Sequence, residues 1–71
     1  MYRKLRGRIT EKYGTQTAFS KALGKTKQVV NRKLTGSVEF TREDILKWCE
    51  LLDIDTSEIG SYFYALELNE V

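Results

Sequence analysis

The sequence predicts an all-α domain, a compact set of four to five short helices, on three observations. Apolar residues recur at helical three- and four-residue spacings along most of the chain. Glycines at 14, 24 and 36 stand where those stripes stop, and the chain has no proline. Thr15, Thr26, Thr41 and Asp55 precede the stripes as residues able to cap a helix N-terminus.

The first helix is expected within residues 2–13, where Tyr2, Leu5, Ile9 and Tyr13 form one apolar stripe with five bases off it. Gly14 ends it. Thr15 then caps a short helix over 16–23, with Phe19, Ala22 and Leu23 as its inner positions. Gly24 stops that helix, and Thr26 caps a third over 27–34 that turns Val30 and Leu34 inward. Residues 37–40 read as a loop whose Phe40 plugs the core. Thr41 and Asp44 form a capping box, with Asp in place of the usual Glu or Gln, and open a helix over 42–52. Its inner face is Ile45, Trp48, Cys49 and Leu52. Asp55 and Glu58 start a last short helix over 56–61, weakened by Gly60, with Ile59 as its apolar contact.

The final ten residues read differently, so the chain divides into a domain over 1–61 and a tail over 62–71. Tyr62, Tyr64, Leu66 and Leu68 alternate at period two, which favours a C-terminal strand over continued helix. A lone strand in an all-α domain needs a second chain to pair with, making Ile59, Tyr62, Tyr64, Leu66 and Leu68 candidate dimer or partner contacts. The alternative is a tail that folds back as a last helical turn on the core.

Composition narrows the function. The 71 residues can bury only a small core, worth about 3–5 kcal/mol net. There is no histidine and one cysteine, so neither an internal disulfide nor a Cys/His zinc site can form. No apolar run approaches the roughly 20 residues that span a bilayer, and no secretory leader is visible. A cytoplasmic protein is expected, without cofactor, metal, membrane contact or small-molecule substrate, and not an enzyme. Cys49 lies on an apolar stripe with no histidine to activate it and reads as core.

The net charge of +2 conceals a division. Residues 1–36 hold ten bases against one acid, +9, and residues 37–71 hold two bases against nine acids, −7. The first half therefore suits a polyanion. Within it, residues 16–36 are two short helices around a three-residue turn that starts on glycine, which is the helix-turn-helix pattern. The second of these helices places Lys27, Gln28 and Asn31 on one outer face. Lysine matches guanine O6/N7, while glutamine and asparagine match adenine N6/N7. The same residues would also suit a plain solvated face.

The stretch from Gln16 to Gly36, with its Asn31-Arg32-Lys33-Leu34-Thr35-Gly36 ending, resembles the helix-turn-helix of the lambda repressor/Cro-like family, the xenobiotic-response-element type. In length and in this ending the chain is similar to small phage-type Cro-like regulators. The resemblance implies a lambda-repressor-like DNA-binding domain whose Lys27, Gln28 and Asn31 read base edges of a double-stranded operator. It implies phosphate contacts from Gln16, Arg32 and Thr35, and Thr15, Thr17, Lys25 and Lys33 join that set by position and charge. Two residues depart from the family pattern: Lys25 stands where an apolar residue is usual, and Ser20 where a small Ala is. The function implied is a transcriptional regulator acting as a dimer, with residues 27–34 in the major groove. The alternative is a modulator of the same fold that binds a partner phage repressor, using the acidic half and the aromatic tail.

Overall fold

A computed structural model of the chain describes residues 2–64, which form four α-helices and two helical turns. These are α1 (Arg3–Tyr13), α2 (Gln16–Leu23), α3 (Lys27–Thr35) and α4 (Arg42–Leu52), then a 3-10 turn over Thr56–Glu58 and a π-helical turn over Gly60–Tyr64. The all-α class is as the spacing predicts, and the described residues contain no strand. Within that stretch, no helix is long and apolar enough to cross a membrane.

The caps foreseen in the sequence are formed. The hydroxyls of Thr15 and Thr26 accept from the N–H groups of Ala18 at 3.1 Å and Val29 at 3.2 Å. Thr41 accepts from Asp44 N–H at 3.1 Å while the Asp44 carboxylate accepts from Thr41 N–H at 2.9 Å, closing the capping box. The last carbonyls of α4 are capped from another helix. Arg8 of α1 donates through Nε to Leu52 O and through Nη2 to Asp53 O, both at 2.9 Å. The Tyr13 hydroxyl donates to Leu51 O at 3.0 Å. A cation at a helix C-terminus opposes the negative end of its dipole.

The core joins Leu5 and Ile9 of α1, Phe19 of α2, Val30 and Leu34 of α3, and the inner face of α4. Phe40 is its aromatic hub, meeting Tyr2, Trp48 and Phe63 edge-on at centroid distances of 5.4, 4.8 and 5.0 Å. Such edge contacts add about 0.5–1.5 kcal/mol each beyond the area they bury.

Two expectations are corrected. Ala22 is exposed and Ser20 is buried in its place, its hydroxyl donating to Thr17 O at 2.7 Å. The inward line of α2 runs through positions 16, 19, 20 and 23, the i, i+3, i+4, i+7 stripe, and Ala22 falls outside it. The second correction concerns the segment after Ile59. Residues 60–64 wind helically instead of extending as a strand, and Phe63 enters the core at 3% exposure. Ile59, Tyr62 and Phe63 sit at helical spacing, and burying Phe63 against Phe40 outweighs the weak period-two pattern. The helix expected over 56–61 is present, as a 3-10 turn over Thr56–Glu58 that runs through Ile59 into the π-helical turn and continues to Tyr64. Leu66 and Leu68 lie outside the described residues.

Candidate nucleic-acid interface

The geometry of α2 and α3 is set by the turn between them. Gly24 takes a left-handed conformation at φ 78°, costly for any residue with a Cβ. Its N–H donates to Lys21 O at 3.1 Å and the Lys25 N–H donates to Ser20 O at 3.0 Å. These crossed bonds close α2 and aim the chain into Thr26, which starts α3 at once. Gly36, at φ 88°, ends α3 in the same way, with Ser37 N–H donating to Arg32 O at 2.9 Å.

Helix α3 is divided lengthwise. Val30, Lys33 and Leu34 are buried, whereas Lys27, Gln28, Asn31, Arg32 and Thr35 are exposed. The exposed positions repeat at intervals of one, three and four and so share one side of the helix. The sequence-predicted base-reading residues are therefore together on an open face. Thr15, Thr17 and Lys25 are exposed at the start of α2 and in the turn, and Gln16 is half-buried at the first position of α2. The Thr35 hydroxyl donates to Arg32 O at 3.1 Å and lies 3.2 Å from the Ser37 hydroxyl.

Lys33 is the exception. Expected at a phosphate, it is only 9% exposed, and its ammonium donates to the Asp44 carboxylate at 2.7 Å and to Glu39 O at 3.3 Å. The ammonium also lies 5.8 Å from the Phe40 ring centre. Its position, two residues past Asn31, turns it about 200° around the helix and away from the open stripe.

The electrostatics follow from which bases are already engaged. Arg8 pairs with Glu11 at 2.8 Å, Lys12 with Asp53 at 3.6 Å and Lys33 with Asp44. Lys4 sits 4.7 Å over the Tyr62 ring. Lys21, Lys25, Lys27 and Arg32 make no ion pair among the described residues. The uncompensated positive charge thus includes four of the five basic side chains of this α2–turn–α3 stretch, all but Lys33. Lys21, not nominated from the sequence, joins it; the run Lys21, Lys25, Lys27 was the available signal.

The proposed partner contacts divide as well. Ile59 and Tyr62 are half-buried on their own core, while Tyr64 is 48% exposed. Cys49 is buried, and burial pushes its thiol pKa up, away from nucleophilic use. Among the described residues, no group of three or more His, Cys, Asp or Glu side chains is placed to hold a metal ion.

The profile of a family described as a protein of unknown function, DUF739, matches residues 1–66. The chain belongs to the DUF739 family. That match takes in all four α-helices and both helical turns of this DUF739 protein. No curated protein matches the chain.

Proposed function

We propose that this DUF739 protein is a sequence-specific double-stranded-DNA-binding transcriptional regulator of the lambda repressor/Cro-like helix-turn-helix type, with α3 entering the major groove. The observation that carries the reading is the stripe of Lys27, Gln28, Asn31, Arg32 and Thr35. It is exposed along one side of a helix that a three-residue turn sets against α2. Lys27, Gln28 and Asn31 address base edges, and Thr15, Gln16, Thr17, Lys25, Arg32 and Thr35 address phosphates. Unpaired lysines displace counterions from the duplex, which makes affinity fall with salt. A single small module binds weakly, so the protein acts as a dimer on paired half-sites, with Tyr64 at the self-association surface.

A fluorescence-anisotropy titration of duplex DNA over a range of salt concentrations tests this. Affinity that is flat with salt, or untouched by the combined Lys27→Ala and Asn31→Ala change, overturns it. A second reading, a modulator that binds a phage repressor, is favoured by Leu46, which is 50% exposed on α4 beside exposed Glu43 and Glu50. A protein silent toward DNA that co-elutes with a purified phage repressor would establish that alternative.

A further inference from the structure

Apolar contacts hold α3 to the domain through Val30 and Leu34, both fully buried, and Arg6 of α1 adds a long 3.4 Å hydrogen bond to Leu34 O near its end. The hydrophobic effect behind such contacts is non-directional and sets the buried side of the helix, whereas a charged hydrogen bond adds an orientation-specific restraint. Helix α3 packs mainly against α2, and its one ion pair to α4 among the described residues is Lys33–Asp44. That pair is a charge-assisted hydrogen bond of 2.7 Å, short and directional. The receiving oxygen is already fixed, since Asp44 Oδ2 also accepts from Thr41 N–H at 2.9 Å in the capping box. The lysine is further held by Glu39 O and lies near the Phe40 ring. Recognition-face residues and clamp residue therefore lie on nearly opposite sides of one nine-residue helix.

We infer that Lys33 and Asp44 are positioning residues: their ion pair clamps α3 to the N-terminal cap of α4 and fixes the rotation at which Lys27, Gln28 and Asn31 are presented. The clamp acts from behind the helix and touches no nucleic acid. Its effect on base discrimination rests on the DNA-binding reading; its effect on the order of α3 does not.

The test has two arms, run under conditions where circular dichroism shows each variant folded. In the first, without DNA, NMR-resolved amide hydrogen exchange compares α3 with α2. Lys33→Met keeps the apolar stem and loses the charge, while Asp44→Asn keeps an acceptor for the Thr41 cap. Each speeds exchange in α3 relative to α2 by about tenfold, and the double variant goes no further than either single. Lys33→Arg, which retains a cation for Asp44, stays near wild type. Exchange in α3 unchanged relative to α2 overturns the inference whatever the protein does with DNA.

In the second arm, an operator duplex selected from a random pool is compared with an unrelated duplex. Lys33→Met and Asp44→Asn each cut the ratio of affinities by about tenfold, with the salt dependence unchanged. A Lys33→Met salt slope shallower by about one, with discrimination intact in Asp44→Asn, makes Lys33 a phosphate ligand and overturns the inference. Wild-type protein that binds neither duplex removes the DNA-binding reading and leaves the clamp to be decided by the exchange arm alone.

Discussion

Phe63 meets Phe40 edge-on, with ring centres 5.0 Å apart, and this contact fastens the C-terminal turn to the loop between α3 and α4. Phe63 is 3% exposed and Phe40 also touches Tyr2 and Trp48. Truncation to Phe63→Ala is expected to cost about 3–5 kcal/mol, comparable to the whole stability of a domain this small. Phe63→Leu should cost markedly less. Urea denaturation of both variants checks the order; equal loss from the two would remove the packing explanation.

Acid should unfold the protein in part through Asp44. Burial works against its ionisation, but the hydrogen bonds from Lys33 and from Thr41 outweigh burial and hold its pKa below the usual carboxylate value. A carboxyl depressed in the folded state stabilises above its unfolded pKa, about 4, and that stability is lost as pH falls through the folded value. Asp44→Asn should therefore be less stable than wild type at neutral pH, by roughly 1–2 kcal/mol, with the difference narrowing as pH falls through the lowered Asp44 pKa. Asp55, held low by its hydrogen bonds with Ser57, adds to the same window. A gap between wild type and Asp44→Asn that is constant from neutral to acid pH would contradict the assignment.

Two glycines should respond in opposite directions to the same change. Gly7 lies inside α1 with nothing within 4 Å of an added Cβ, so Gly7→Ala should raise stability by about 0.5–1 kcal/mol. Gly24 has equal space but a φ of +78°, so Gly24→Ala should lower stability by about 1–2 kcal/mol. Thermal denaturation reads both, and a Gly24→Ala protein as stable as wild type would show that the turn tolerates another conformation.

The end of α4 offers a fourth stability test. Tyr13→Phe removes the hydroxyl that donates to Leu51 O and should cost about 1 kcal/mol. Arg8→Met, which removes the donors to Leu52 O and Asp53 O, should lower the melting temperature as well. Because both side chains cap the same few carbonyls, the double variant should fall short of the sum of the singles, which a double-mutant cycle would reveal.

On the proposed interface, Asn31→Ala should cost about 1–3 kcal/mol on a selected operator and little on unrelated DNA. Lys25→Ala should weaken both duplexes alike and make the salt dependence shallower by about one. Interchanged behaviour of these two variants in anisotropy titrations would reverse their assigned roles.

Helices α2 and α3 are legible because each carries a threonine cap, an apolar stripe and a glycine stop, while α1 shows only its stripe and Gly14, and α4 its capping box and stripe. Phe63 was missed because Tyr62 and Tyr64 on either side suggested alternation, and only its distant partner Phe40 decides which way it turns. Lys33 was read outward for a similar reason. A lysine in a basic run looks like surface, and its acid lies eleven residues on, where the capping box by itself accounts for Asp44. Ala22 is small enough to fit either side of α2, so its identity carries little directional information. The exposed stripe of α3 was readable because the positions it leaves over, Val30 and Leu34, are plainly apolar.

Trp48, the single tryptophan, is 1% exposed between Phe19 and Phe40. Its indole touches α2 through Phe19 and the α3–α4 loop through Phe40, out of contact with solvent. Intrinsic fluorescence excited at this chromophore is therefore a gauge of core packing, so a denaturation curve recorded there follows the melting of the interior from a single position.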